Sequence, residues 1–155
     1  MKESGIGHVT IHEEGLAPSR TTPDDMAALA GGAFPLAERV PGARGEAFDW
    51  NAWYGRWRAS PPERGRPSFL KVEAADGYEA VIPWDQLREA AVLYRLDGAP
   101  LAQGAPVRLY VPNGTSACLN VKSVVAFRIG YDPDMGSQAS YGFKNTFAPG
   151  ELRKR

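Results

Sequence analysis

Phe69-Leu70-Lys71-Val72-Glu73-Ala74-Ala75-Asp76-Gly77-Tyr78-Glu79-Ala80-Val81-Ile82 is the stretch that decides the fold. Leu70, Val72 and Ala74 alternate with Lys71 and Glu73, the period of a strand with one dry and one wet face. Asp76-Gly77 then supplies two residues that tolerate positive φ, the chemistry of a tight hairpin turn, and a second strand-like run begins at Tyr78. Two strands joined at Asp76-Gly77 are therefore expected.

Working toward the C-terminus, Val92 to Leu96, Val107 to Val111 and Val121 to Ile129 are rich in β-branched and aromatic residues and read as further strands. Asp97-Gly98 repeats the hairpin signal, and Pro83-Trp84-Asp85-Gln86-Leu87-Arg88 holds one helical turn or slightly more. Residues 69–129 are expected to form a β-rich core. Beyond Tyr131 the apolar pattern fades, so residues 132–155 read as an irregular tail packed by Tyr141, Phe143 and Phe147 and ending in Arg153-Lys154-Arg155.

Toward the N-terminus, Ser60 to Pro67 breaks all periodicity and predicts an exposed connection. Phe48, Trp50, Trp53, Tyr54 and Trp57 fall near helical spacing, with Asp49 placed as a cap or first-turn acid, and predict a short aromatic helix. Phe34 to Gly45, broken by Pro35, Pro41 and Gly42, reads as a loop long enough to line a site. Thr22-Pro23-Asp24-Asp25 combines a capping hydroxyl, a proline at the first helical position and two acids, so a helix starts there and ends at Gly31-Gly32. Residues 1–20 form an N-terminal arm in which Val9-Thr10-Ile11 is either a first strand or a partly ordered segment.

At 155 residues with 43% hydrophobic and 23% charged residues, the chain has the size and composition of one globular domain. Lys+Arg and Asp+Glu balance at 18 each, so no overall field favours nucleic acid or an anionic membrane, and any anion site must be local. No stretch has the length of a signal peptide core or a membrane span, and a cytoplasmic location is expected. One cysteine, Cys118, excludes an internal disulfide framework and a multi-thiolate zinc site.

Asp76-Gly77-Tyr78, Ile82-Pro83, Leu93-Tyr94, Asp97-Gly98, Pro100-Leu101, Gly104, Pro106, Arg108-Leu109, Pro112 and Val121-Lys122, in that order, resemble the oxidoreductase molybdopterin-binding domain. The resemblance covers about residues 69 to 129. It implies the fold class of the sulfite-oxidase molybdopterin domain: α/β (α+β), a strand-rich mixed sheet with short helices and a molybdopterin-type cofactor in a deep pocket. The family's molybdenum ligand is a cysteine thiolate before the Asp-Gly-Tyr turn. Ala37 to Arg44, the matching region here, contains no cysteine, and Ser123 follows Lys122 where family members carry Trp. A degenerate member without molybdenum is expected.

Arg108 and Lys122 are the candidates to hold a phosphate in one shared concave site, and Arg39 and Arg44 flank the loop where the metal ligand would stand. Cys118 follows the Arg108 strand and is read as a small buried hydrophobe. His8 and His12 share a face but are too few for a metal site, and Asp49, Asp76 and Asp85 sit where caps and turns need carboxylates. The indoles are read as core. The function expected is a non-catalytic binding domain for a pterin-like or phosphorylated ligand. Two alternatives stand beside it: a molybdenum oxidoreductase whose metal is held by the dithiolene of the cofactor and by Cys118 or solvent, and a structural or interaction module without cofactor.

Overall fold

The computed structural model describes residues 7–59 and 63–144. Its first strand, β1 (Val9–Glu13), is followed by β2 (Ser19–Thr21) and helix α1 (Pro23–Leu29). The hydroxyl of Thr22 accepts from the Asp25 N–H at 3.2 Å, and Pro23 occupies the first turn, where its missing N–H costs nothing. The loop expected from Phe34 to Gly45 contains a two-residue strand, β3 (Phe34–Pro35), and one 3-10 turn at Leu36–Glu38.

The aromatic run divides where the sequence suggested one helix. Phe48 belongs to a strand, β4 (Glu46–Asp49), and the helix α2 (Trp50–Arg58) begins after it. Pairing with a neighbouring strand overrode helical spacing at Phe48. Asp49 is the cap, its carboxylate accepting from Ala52 N at 2.7 Å.

The five strands expected in residues 69–129 appear as β5 (Phe69–Ala74), β6 (Tyr78–Pro83), β7 (Ala91–Leu96), β9 (Val107–Tyr110) and β10 (Val121–Gly130), and a two-residue strand that the sequence did not announce, β8 (Ala99–Pro100), stands between β7 and β9. The first Asp-Gly turn joins β5 to β6, and the second joins β7 to β8. Asp97 and Gly98 both have positive φ, 55° and 79°, as a tight hairpin of matching twist requires. Trp84–Leu87 forms the expected helical turn, of 3-10 type.

Of the two readings of Val9-Thr10-Ile11 the strand holds: β1 lies in the sheet, parallel to β10 and antiparallel to β2. The C-terminal end needs correction. Within the supposedly irregular tail, β11 (Ser140–Phe143) pairs antiparallel with β6, and Tyr141 and Phe143 are 50% and 40% exposed rather than packed inside. A glycine-containing run with little alternation carries no strand signal of its own; the free edge of β6 supplies the partner. Ser60, Pro61 and Pro62 of the connection, and Phe147 and Arg153-Lys154-Arg155 of the tail, lie outside the described residues.

The result is a strand-rich sheet with few short helices, running β11-β6-β5-β10-β9-β7-β4-β3. Among the described residues the pairings are antiparallel except for that of β1 with β10. Register builds the core. Ile11, Phe127, Val72 and Ala80 are successive cross-strand partners, and all four are fully buried under α1 and α2. Opposite them, the outer face carries alternating charges: Arg128 to Glu73 at 2.8 Å, Lys71 to Glu79 at 3.6 Å and Lys144 to Glu79 at 2.9 Å.

The next core row reads Glu13, Ile129, Leu70, Ile82, so a carboxylate only 1% exposed stands in an apolar line. Such burial is tolerated because the carboxylate is surrounded by donors. Tyr54 donates to its Oε1 at 2.7 Å, and Tyr131 and Arg58 donate to its Oε2 at 2.7 and 3.0 Å. The bonds tie β1, α2 and the end of β10 together. Burial first, and the Glu13 carboxylate second, push the phenols of Tyr54 and Tyr131 above their ordinary range.

A smaller cluster of Leu36, Ala47, Ala91, Leu93 and Leu101 packs at the β3–β4–β7 end of the sheet. It forms the ground on which the candidate site stands.

Candidate anion-binding cleft

Along β9 the side chains alternate, Val107 and Leu109 buried, Arg108 and Tyr110 on the other face. Arg108 and Tyr110 form one wall of a cleft of about 380 Å³. Leu93, Leu96 and Leu101 give it an apolar floor continuous with the smaller cluster, and Arg44 and Gln103 stand at its rim.

Two glycines set this geometry. Gly45 has φ 109°, and a Cβ there would lie 2.5 Å from Leu93 Cδ1 and 2.7 Å from the Arg95 carbonyl. Only glycine lets the Arg44 loop lie this close to β7. At Gly104, φ is 81° and a Cβ would lie 2.6 Å from Arg108 Cδ, so the bare backbone leaves the channel through which the arginine stem runs.

Electrostatics distinguish the two arginines. Arg44 is 68% exposed and gives Nη2 to both carboxylate oxygens of Asp97, at 3.0 and 3.1 Å. A pair this exposed is worth at most about 1 kcal/mol, so an incoming anion can take the place of Asp97. Arg108 has no carboxylate partner among the described residues. Its Nε is buried with no hydrogen-bond partner among the described residues, and its guanidinium lies 5.7 Å from the centre of the Tyr110 ring. A buried donor left unpaired costs free energy that an acceptor would recover.

The other sequence candidates lie elsewhere. Arg39 is half-buried and engaged, 2.6 Å from Asp49, with the Glu89 and Ala90 carbonyls each at 3.2 Å and the Phe34 ring beneath it. It fastens the Phe34–Gly45 segment to β4 and does not line the cleft. Lys122 stands near Arg108 in the sheet: Val121 faces Leu109 and Val124 faces Val107, so a bulge sets Lys122 and Ser123 opposite Arg108. The two cations nevertheless line separate cavities, Lys122 that of Asp76, Tyr78, Asn120 and Phe143.

Cys118 is corrected from buried to exposed. It sits on the 3-10 turn Ala117–Leu119, where Leu119 takes the inward position and leaves the thiol outside. His12 faces Arg128, with Nδ1 3.2 Å from its guanidinium, and His8 is exposed. Trp50, Trp53 and Tyr54 are buried, and Trp57 packs partly buried against them. A third cavity, of about 270 Å³, brings Asp24 and Asp25 to Tyr94 and Pro106, and its carboxylates make it unsuitable for an anion.

Sequence reasoning missed Tyr110 and Gln103. Tyr110 was legible as the residue two beyond Arg108 on the same strand face; Gln103 reaches the cleft only through the path of the loop after β8. No helix among the described residues is long and apolar enough to cross a membrane. No protein-family model and no curated protein matches the chain.

Proposed function

We propose that the chain is a non-catalytic binding domain of the sulfite-oxidase molybdopterin type, which takes a phosphorylated, pterin-like ligand in the Arg44–Arg108 cleft. One observation carries the reading: the buried, unpartnered Nε of Arg108 beside a leucine floor. An anionic group meets Arg108 and displaces Asp97 from Arg44, while a flat ring lies over Leu93, Leu96 and Leu101. The donor set does not fit molybdenum, for among the described residues none that lines the cleft carries a thiolate, and Cys118 is not one of them.

The test is titration of the full chain with a phosphorylated pterin, followed by the fluorescence of the pterin. Arg108→Met keeps the stem and removes the charge, and it is expected to weaken binding more than ten-fold, as loss of a charge-assisted contact does. Parent protein that shows no saturable binding at millimolar pterin phosphate overturns the reading in favour of a structural module. One molybdenum per chain, lost in Cys118→Ser, overturns it in favour of an oxidoreductase.

A further inference from the structure

The cavity that holds Lys122 has its own chemistry. It measures about 210 Å³ and is lined by Asp76, Tyr78, Asn120, Lys122 and Phe143. The β5–β6 turn supplies Asp76, the exit from the 3-10 turn at Ala117–Leu119 supplies Asn120, the bulged start of β10 supplies Lys122, and β11 closes one side.

Among the described residues, Asp76, Asn120 and Tyr78 each keep hydrogen-bonding capacity, and Lys122 keeps all of its own. Asp76 accepts the Tyr78 N–H on Oδ1 at 3.1 Å, which leaves Oδ2 without a partner among the described residues. Asn120 accepts the Val111 N–H on Oδ1 at 2.7 Å, so the orientation of its amide is fixed and both Nδ2 protons remain to be given. Tyr78 donates its phenolic proton to the Cys118 carbonyl at 2.7 Å and keeps its oxygen lone pairs. Lys122 has neither a carboxylate nor a hydrogen-bond acceptor among the described residues. Asp76 and Lys122 thus line one cavity with opposite charges and form no ion pair.

From this arrangement we propose a second ligand site, for a small zwitterion of the free α-amino acid class. Its carboxylate lies between Lys122 Nζ and Asn120 Nδ2, and its ammonium lies between Asp76 Oδ2 and the Tyr78 oxygen. Opposite charges held apart across a small space are complementary to a body that carries both, and a simple anion would meet Asp76 as a repulsive neighbour. The side chain of the ligand runs along the Tyr78 and Phe143 rings, which meet edge to face with centroids 4.9 Å apart, so an apolar or aromatic amino acid is preferred.

The experiment uses the ¹⁵N-labelled full chain and follows its amide shifts during titration with L-phenylalanine and L-leucine. Hydrocinnamate, which lacks the ammonium, and phenethylamine, which lacks the carboxylate, serve as comparison ligands. Saturable shifts are expected at the amides of residues 76–78 and 120–122 with the amino acids. Removing either ligand charge should weaken binding about five-fold, the upper end for solvent-screened charge contacts. Lys122→Met and Asp76→Asn should do the same; the second retains the turn hydrogen bond to Tyr78 and so preserves the fold. Saturation of the Arg44–Arg108 cleft with the phosphorylated pterin should leave these shifts in place, because the two cavities share no lining residue. The proposal is overturned by an absence of saturable shifts, by equal binding of hydrocinnamate, by an affinity unchanged in both variants, or by shifts centred on Arg108. Binding of the pterin is read separately and can fail alone.

Discussion

Glu13, the last residue of β1, accepts a 2.7 Å hydrogen bond from the phenol of Tyr54 on α2, and this buried contact joins the sheet to the helix that covers it. Arg58 and Tyr131 complete the shell around the same carboxylate. The helix is thereby held over one row of the sheet by directional bonds as well as by non-directional apolar burial.

Glu13→Ala should destabilise the domain by about 3–5 kcal/mol, because it leaves two phenols and a guanidinium without their shared acceptor. Glu13→Gln, which retains an acceptor oxygen, should cost less. Urea denaturation at pH 7 measures both, and a loss under about 1 kcal/mol for the alanine variant would show that the network is not energetically coupled to folding.

Stability should also fall in alkali. The phenols of Tyr54 and Tyr131 ionise above the ordinary 10.0 in the folded protein, through burial first and then their bonds to Glu13. In the unfolded chain they ionise near 10, so above that pH the native state binds more protons and stability declines as pH rises; below it this contribution is fully present. Denaturation midpoints from pH 8 to 11, with tyrosinate absorbance recorded alongside, check this. A midpoint that is flat beyond pH 10 would contradict it.

Asp49 caps α2 and pairs with Arg39 at 2.6 Å. Asp49→Ala should therefore lower stability by about 2 kcal/mol, the sum of a lost cap and a lost charge-assisted bond. Asp49→Asn keeps the capping oxygen and should lose about half as much. Equal losses would assign the whole effect to the ion pair.

Gly104→Ala tests the link between the backbone and the cleft. Its φ of 81° is costly for alanine by about 1 kcal/mol, and the new methyl would press on Arg108 Cδ. Thermal unfolding should move down slightly, while affinity for the phosphorylated pterin should fall several-fold because the guanidinium is displaced. Unchanged affinity would show that the arginine is not positioned by this contact.

By itself the sequence determined the central strands, their two Asp-Gly turns, the cap at Thr22 and the cap at Asp49, because each depends on neighbours within a few residues. Tertiary structure decided the rest. Phe48 became a strand residue because β7 offered a partner, and Ser140–Phe143 did so because β6 had a free edge. Glu13 occupies an apolar row because donors from residues 41, 45 and 118 positions away converge on it. Arg108 and Lys122 stood out in the sequence as cations, and the bulge between Val121 and Val124 with the routes of the surrounding loops placed them in different cavities. A turn or a cap is written in a few consecutive residues; a cavity is enclosed by segments far apart in the chain, and only their packing determines which side chains face one another.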